Sequence, residues 1–265
     1  MNNNYQTMAE ITSYVTPLNY VSGRIVEYDI ASANITMLYK AGAITKSYYD
    51  YLSFLPKHDR EVLVGMMIRK NRDIYNIIKN GIIESKRKLF EMNNISFDTV
   101  VRIANDAVYI NSPIDLQYTC FGNVIFKKKS ISCSMTRLGN LLLFFSYNSD
   151  NINLEVKGMS KENQVLHQDY MFTFIAQVIN IIERYNIEDA LNEIGLFYKE
   201  YVNLELPKEY YRELSADSYY KIKNSQFYVS DIDSVEDIDI NYNLYIIREL
   251  WAIILEKYNV SIGRI

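Results

Sequence analysis

The sequence predicts an α+β protein, because stretches with strand character and stretches with helical character follow one another in separate blocks. A strand and a helix come first, a long helical stretch follows, then several short strands, and finally a second helical region. The 265 residues, 49% of them apolar, suffice for one large domain or two modest ones. We expect an antiparallel sheet with a helical insertion and a helical C-terminal region.

The first strand and helix are predicted close to the N-terminus. Residues 23–30 are rich in β-branched and aromatic side chains, which favour a strand. Residues 31–39 have helical composition, with Ser32 as a suitable N-cap and Gly42 placed to end the helix.

The following stretch, residues 46–93, has apolar residues at helical spacing, and Pro56 and Gly81 are predicted to break it into about three helices. Its segment 57–88 carries nine Lys and Arg against four Asp and Glu, a net +5 in a chain of net −4. These charges can face phosphates, although a solvated helix surface explains the same pattern. Tyr48, Tyr49 and Tyr51 can stack on bases or pack half-buried on the helix.

Short β-type runs alternate with turn signals between residues 97 and 156. The runs 97–104 and 107–111 flank Asn105 and Asp106, a two-residue hairpin signal. Further strands are predicted at 123–129, 130–137, 141–147 and 151–156, with turns at 139–140 and 148–150.

The chain has helical character again from residue 161, with a strongly apolar part at 165–185, an amphipathic part at 188–201, a mixed part at 205–227 and a last helix at 241–258. We therefore predict a core domain of residues 1–160, with the insertion 46–93, and a helical domain of residues 161–265.

Composition and net charge exclude several classes of function. The net charge of −4 argues against a protein that coats nucleic acid through its overall charge. Two cysteines, no apolar signal core and no bilayer-length apolar run predict a protein of the reducing cytoplasm without a membrane partner. Zinc-ligand spacing, nucleophile motifs and a phosphate-binding P-loop are absent from the sequence.

Two aspartates, Asp29 and Asp106, interrupt apolar runs, where a charge costs free energy unless a partner or a cation compensates it. Asp29 is predicted between a strand and a helix N-terminus, so that a triphosphate could lie over Ala31, Ser32 and Ala33. If the two strands are neighbours, both carboxylates meet at one end of the sheet, where Mg²⁺ can bind them together with substrate phosphates. A helix cap at Asp29 and a turn former at Asp106 are the ordinary alternatives.

Basic residues outside the insertion are also candidates for binding nucleic acid. Residues 121–140 carry four basic residues and no acidic one, with Lys127 and Lys129 on the same face of a strand. Lys157 precedes Gly158, which permits a close approach of backbone or phosphate. Lysines on exposed edge strands also protect against aggregation, which is the alternative explanation.

On these residues the chain resembles palm-domain nucleic-acid polymerases. Residues 28–34 are similar to motif A in the Asp-x-x-Ser-x-Asn form of family B and protein-primed phage enzymes, and the hairpin 103–107 is similar to motif C. The helices at 57–70 resemble the fingers, and 155–158 resemble the Lys-Gly segment after the palm. The resemblance therefore implies a palm-like sheet, a fingers-like helical insertion and a thumb-like helical region after residue 160. The chain departs from the family in having one acid in motif C, no clear motif B and no room for a proofreading exonuclease.

The resemblance implies a minimal, phage-type, template-directed nucleotidyltransferase, a polymerase or primase-like enzyme. Its partners would be template-primer, nucleoside triphosphates and proteins of a replication or transcription complex. Asp29 and Asp106 would bind two Mg²⁺ (or Mn²⁺), and the triphosphate would contact Ala31, Ser32, Lys57, Arg60 and Lys70. The nucleic-acid backbone would contact Lys127, Lys129 and Lys157. The alternative is a non-catalytic, palm-like nucleic-acid-binding or assembly subunit of such a complex.

Overall fold

A computed structural model describes residues 3–148 and 151–258, and it confirms an α+β protein with antiparallel strands. The chain packs as two compact units, which we call the first unit (residues 1–16 and 23–131) and the second unit (residues 17–22 and 132–265). The sequence-based division at residue 160 stays a prediction about domain organisation. None of the described helices is long and apolar enough to span a bilayer.

The sheet of the first unit has the strand order β1-β3-β4-β2-β6, and β1, β3, β4 and β2 pair antiparallel with their neighbours. These strands are β1 Ser13–Val15, β2 Tyr20–Ile30, β3 Val100–Ala104, β4 Ala107–Asn111 and β6 Val124–Leu138, and the short β5, Cys120–Phe121, pairs with β6. The prediction of two strands at 123–129 and 130–137 was wrong. Ser130 keeps the strand continuous, and its hydroxyl donates a 2.9 Å hydrogen bond to the Glu27 carboxylate.

The predicted hairpin between β3 and β4 is confirmed. Asn105 adopts a left-handed backbone with φ 48°, which asparagine tolerates in turns. Residues Phe97–Thr99, predicted as strand, form a short 3₁₀ helix instead, so β3 begins at Val100.

Five helices belong to the first unit: α1 Asn3–Glu10, α2 Ala33–Lys40, α3 Lys46–Phe54, α4 Lys57–Lys70 and α5 Asp73–Met92. The insertion therefore has three helices, and Pro56 separates α3 from α4 as predicted. Gly81 does not break the third helix but lies within α5. A Cβ on Gly81 would lie 2.7 Å from the Met37 sulfur, so this glycine allows α5 to pack closely on α2.

The ends of α2 follow the prediction only in part. Ser32 occupies the N-cap position but has φ 49° and makes no capping hydrogen bond with its side chain. At the other end Gly42, with φ 71°, donates its N–H to the Tyr39 carbonyl at 3.0 Å and ends the helix as predicted.

The second unit combines the C-terminal half of β6 with β7 Leu141–Asn148 and β8 Asn151–Lys157, all antiparallel. Its helices are α6 Lys161–Val165, α7 Met171–Arg184, α8 Ile187–Val202 and α9 Leu244–Tyr258, and a small ladder pairs β9 Tyr220–Lys221 with β10 Tyr228–Val229. The apolar stretch predicted from 165 becomes helical only at Met171, because Tyr170 departs from helical geometry. Part of the turn predicted at 148–150 lies outside the described residues.

Each unit has its own core. In the first unit, β2 and β4 bury Val26, Tyr28 and Val108 against α2 and α5. In the second unit, α7 packs its apolar face with β8, α8 and α9. The first unit alone contains the candidate site described next.

Candidate functional site

A pocket of about 370 Å³ opens in the first unit where β2 ends and β4 begins. Seven of the residues predicted from sequence line it: Asp29, Asp106, Ser32, Ala33, Lys57, Arg60 and Lys129. Four do not: Ala31, Lys70, Lys127 and Lys157. The pocket thus combines a carboxylate of β2 and a carboxylate of the β3–β4 turn with cations of α4 and β6.

Strand pairing places the two aspartates side by side. In the antiparallel pair of β2 and β4, Asp29 lies opposite Ala107, the neighbour of Asp106. The Ile30 N–H donates to the Asp106 carbonyl at 3.2 Å and closes the pairing at this end. Both side chains line the same pocket as a result, while their catalytic and metal-binding roles stay a prediction.

The charge of Asp106 is disfavoured by its surroundings. Burial raises the pKa of this carboxyl above its ordinary value, and the negative charge of Asp29 raises it further. Lys129 and Lys57 act in the opposite direction without cancelling the effect. Carboxyl groups with raised pKa values are common in functional pockets, and a bound cation would stabilise the charged form of such a group.

Asp29 has a cationic partner. Its side chain is only 14% exposed and forms an ion pair with the Lys129 ammonium group. The pKa of Lys129 is raised, chiefly by its hydrogen bond to Asp29. Lys129 is therefore the counter-charge of the first aspartate.

The first turn of α4 supplies the other cations of the pocket. Lys57 lies 3.7 Å from Glu61, which also lines the pocket. Arg60 is half-buried, and its guanidinium forms no ion pair with the other residues that the structure describes. An unpaired arginine facing a pocket is well suited to bind a phosphate in two-point geometry.

The N-terminus of α2 forms another wall of the pocket. The first three N–H groups of a helix have no intrahelical acceptor, and the residues that begin α2, Ala33, Asn34 and Ile35, line the pocket. The N–H of Ala31 is already used, because it donates to the Ile125 carbonyl at 2.9 Å. Any phosphate held here would therefore meet residues 33–35 rather than Ala31.

The remaining predicted residues lie elsewhere. Lys70 is exposed at the end of α4, and Lys127 is exposed on β6. Lys157 belongs to the second unit and lies 2.5 Å from Glu155. The backbone that approaches Gly158 is the chain's own: a Cβ there would lie 2.8 Å from the Asn140 carbonyl oxygen.

Sequence reasoning missed two buried charges close to the pocket. Lys86 of α5 is completely buried and donates a 2.6 Å hydrogen bond to the Ile11 carbonyl. Burial lowers its pKa to about 8, and attraction to Asp106 opposes the change. Glu27, two positions before Asp29 on β2, is also buried. The signal for Lys86 was its position on the apolar stripe of α5, between Ile82 and Leu89.

The side chains available as ligands test whether the predicted Mg²⁺ could bind at the pocket. Among residues 3–148 and 151–258, no group of three or more His, Cys, Asp and Glu side chains is arranged to hold an ion. Two carboxylates alone suit Mg²⁺ only if phosphate oxygens and water complete its shell, as is usual for magnesium bound with a nucleotide. Asp29 and Asp106 fit this mode of binding.

Comparison with known families gives one match. The family model described as "Bacteriophage PBS1 gene 130 protein" matches residues 2–256, nearly the whole chain. A search of curated proteins found no match.

Proposed function

We propose that this chain, which belongs to the bacteriophage PBS1 gene 130 protein family, is a small phage-encoded nucleotidyltransferase with a palm-like site in its first unit. The observation that carries the proposal is the pocket in which the carboxylate at the end of β2 and that of the adjacent β3–β4 turn meet the cations of α4 and the N-terminus of α2. This combination suits a metal-bound triphosphate, and the host cytoplasm would supply both components.

In the proposed reaction, the 3′-oxygen of a growing strand forms a bond to the α-phosphorus of a nucleoside triphosphate, and the bond to the β-phosphate oxygen breaks to release pyrophosphate. Asp29 and Asp106 would hold Mg²⁺ or Mn²⁺ together with the phosphates. When bound, the metal would favour deprotonation of the 3′-hydroxyl and stabilise the leaving pyrophosphate.

The phosphates would be held by groups of the chain itself. The Arg60 guanidinium and the Lys57 ammonium would contact the β- and γ-phosphates, whose charge grows as the bond breaks. The N–H groups at the start of α2 would orient the same anion. Lys129 would give up its ion pair with Asp29 and form one with a phosphate instead. The Asp29 carboxylate would then be free to bind the metal.

Primer extension tests the proposal. Wild-type protein is incubated with primer-template, triphosphates and Mg²⁺ or Mn²⁺, beside Asp106→Asn and, as a matched control, Asp98→Asn, an exposed aspartate of the same unit. We expect extension by the wild type and the control, and a loss of about 100-fold or more in Asp106→Asn. Equal extension by all three proteins would refute the role of Asp106.

One observation favours the second candidate, a non-catalytic nucleic-acid-binding or assembly subunit. The ion pair of Lys129 and Asp29 already compensates the first aspartate, so the pocket can exist without a metal. A wild-type protein that binds nucleic acid yet never extends a primer, in either metal, would favour this alternative.

A further inference from the structure

Helix α3 presents a row of aromatic side chains that its own packing does not use. Tyr48, Tyr51 and Phe54 follow one another at three-residue intervals, so they lie along one side of the helix. Their exposed fractions are 37%, 54% and 90%. The adjoining side of α3 makes the contacts with the fold, because Leu52 is completely buried and Tyr49 stacks on Tyr39.

The rings already have the geometry of a stacking surface. The planes of Tyr48 and Tyr51 are inclined by only 17°, with their centroids 6.0 Å apart. Phe54 continues the row at the end of the helix and exposes nearly its whole ring. Single exposed apolar side chains are common on proteins, but three adjacent rings form a patch that indicates a binding surface.

The charges of the insertion indicate which kind of partner binds the aromatic row. The only ions of α3 itself, Lys46 and Asp50, neutralise each other. The next two helices carry exposed basic residues that form no ion pair with other described residues: Arg69, Lys70, Arg72 and Lys79. Aromatic faces on one helix and unpaired cations on the helices that follow it in the same insertion, beginning with Arg60 six residues after Phe54, match a strand that offers both free base faces and phosphates. In a duplex the base faces are covered by their neighbours, so single-stranded nucleic acid fits this surface and duplex does not.

We propose that Tyr48, Tyr51 and Phe54 form a platform on which the bases of single-stranded nucleic acid stack. The chain continues from Phe54 through Pro56 directly to Lys57 and Arg60 of the pocket. The platform thus leads to the site of synthesis, and it would hold the unpaired template strand. The binding surface stands on its own observations, whereas its role as the template track rests on the proposed function.

The test is fluorescence anisotropy with a labelled oligothymidine and with a duplex of equal length, in the absence of divalent metal and triphosphate. The variants are Phe54→Ala, the double variant Tyr51→Ala with Phe54→Ala, and the restoring variant Phe54→Trp. Phe227→Ala is the matched control, because Phe227 is 77% exposed in the second unit. Since all of these side chains are exposed, circular dichroism should show unchanged folding.

We expect Phe54→Ala to weaken binding of the single strand by roughly fivefold to 100-fold, the range of a lost base–aromatic stack. The double variant should bind more weakly still, while Phe54→Trp and Phe227→Ala should bind within about twofold of wild type, because tryptophan also stacks on bases and Phe227 is not part of the platform. Unchanged affinity in the double variant, or equal affinity for duplex, would overturn the proposal. Binding of anionic vesicles or of a protein through these rings, with no affinity for the single strand, would overturn it equally.

Asp106→Asn separates this proposal from the enzymatic one. The platform requires that this variant bind the single strand as wild type does, because the aspartate is not part of it. If the wild type extends primers normally and Phe54→Ala binds the single strand as well as the wild type does, the enzymatic proposal stands and the platform proposal is refuted. If the aromatic variants weaken binding of the single strand but the wild type extends no primer, the platform belongs to a non-catalytic binding subunit.

Discussion

Asp106 carries a charge that folding makes less favourable. Its pKa is raised by burial and by Asp29, so the folded state binds a proton on this carboxyl more readily than the unfolded chain does. The folded state is therefore stabilised below the ordinary carboxyl pKa and loses this contribution as pH rises through the raised pKa. Carboxyl groups with pKa values perturbed in this way are frequent at functional sites.

We predict that Asp106→Asn raises the thermal unfolding midpoint at pH 7, because the amide has no charge to desolvate and no repulsion from Asp29. The gain should vanish near pH 3, where both proteins are uncharged at this position. Differential scanning calorimetry at the two pH values measures it. Mg²⁺ should raise the midpoint of the wild type more than that of the variant. A variant that is less stable than the wild type at pH 7 would show that Asp106 is a structural turn former.

Lys86 shows how the segment before β1 is tied to the hairpin. Its buried ammonium group holds the Ile11 carbonyl, and the next carbonyl, that of Thr12, accepts the Asn105 N–H at 2.7 Å. A buried lysine with its pKa lowered to about 8 costs folding free energy at neutral pH. The Lys86 ammonium group is also attracted to Asp106, so the free-energy cost of burying it depends on a residue of the candidate site.

At the scale of elements, two glycines in neighbouring helices give opposite expectations. Gly65 of α4 has open space where a Cβ would be, whereas a Cβ on Gly81 of α5 would lie 2.7 Å from the Met37 sulfur and 3.0 Å from its Cβ and Cγ. We predict that Gly65→Ala raises the free energy of unfolding by about 0.5–1 kcal/mol through helix propensity. Gly81→Ala should lower it by about 1–3 kcal/mol, because α2 and α5 must separate.

Urea unfolding monitored by far-ultraviolet circular dichroism compares the two variants, and each serves as the control of the other. Stabilisation by both substitutions would mean that Met37 moves aside at little cost and that the contact of α2 with α5 is not close-packed.

The same elements show what can be predicted from sequence. The Asn105–Asp106 hairpin and the break at Pro56 were predicted because turn and proline chemistry act within a few residues. Gly81 was misassigned because its neighbour Met37 is remote in sequence. For the same reason, the sequence could place Asp29 and Asp106 together only on the condition that their strands pair. The Lys129 ion pair and the burial of Lys86 depend on tertiary packing and have no local signal of comparable strength.

For the whole molecule, the net charge of −4 conceals a division between the two units. The first unit has 16 Lys and Arg against 12 Asp and Glu, which gives +4, and the second has 12 against 20, which gives −8. An acidic chain can therefore bind nucleic acid through one unit while the other repels it.

We predict that hydrogen exchange with a bound single strand protects the helices of the insertion, residues 46–92, and leaves the helices of the second unit unchanged. The affinity should fall by roughly tenfold or more between 50 and 200 mM salt, because several phosphate contacts release counterions. Mass-spectrometric exchange locates the contact and anisotropy measures the salt dependence, with Arg69→Ala expected to reduce the slope and Phe54→Ala to leave it unchanged. Protection confined to the second unit, or an affinity independent of salt, would mean that the charge division does not direct binding. A steep salt dependence together with protection of the insertion would place the phosphates on the basic helices, whichever of the two candidate functions is correct.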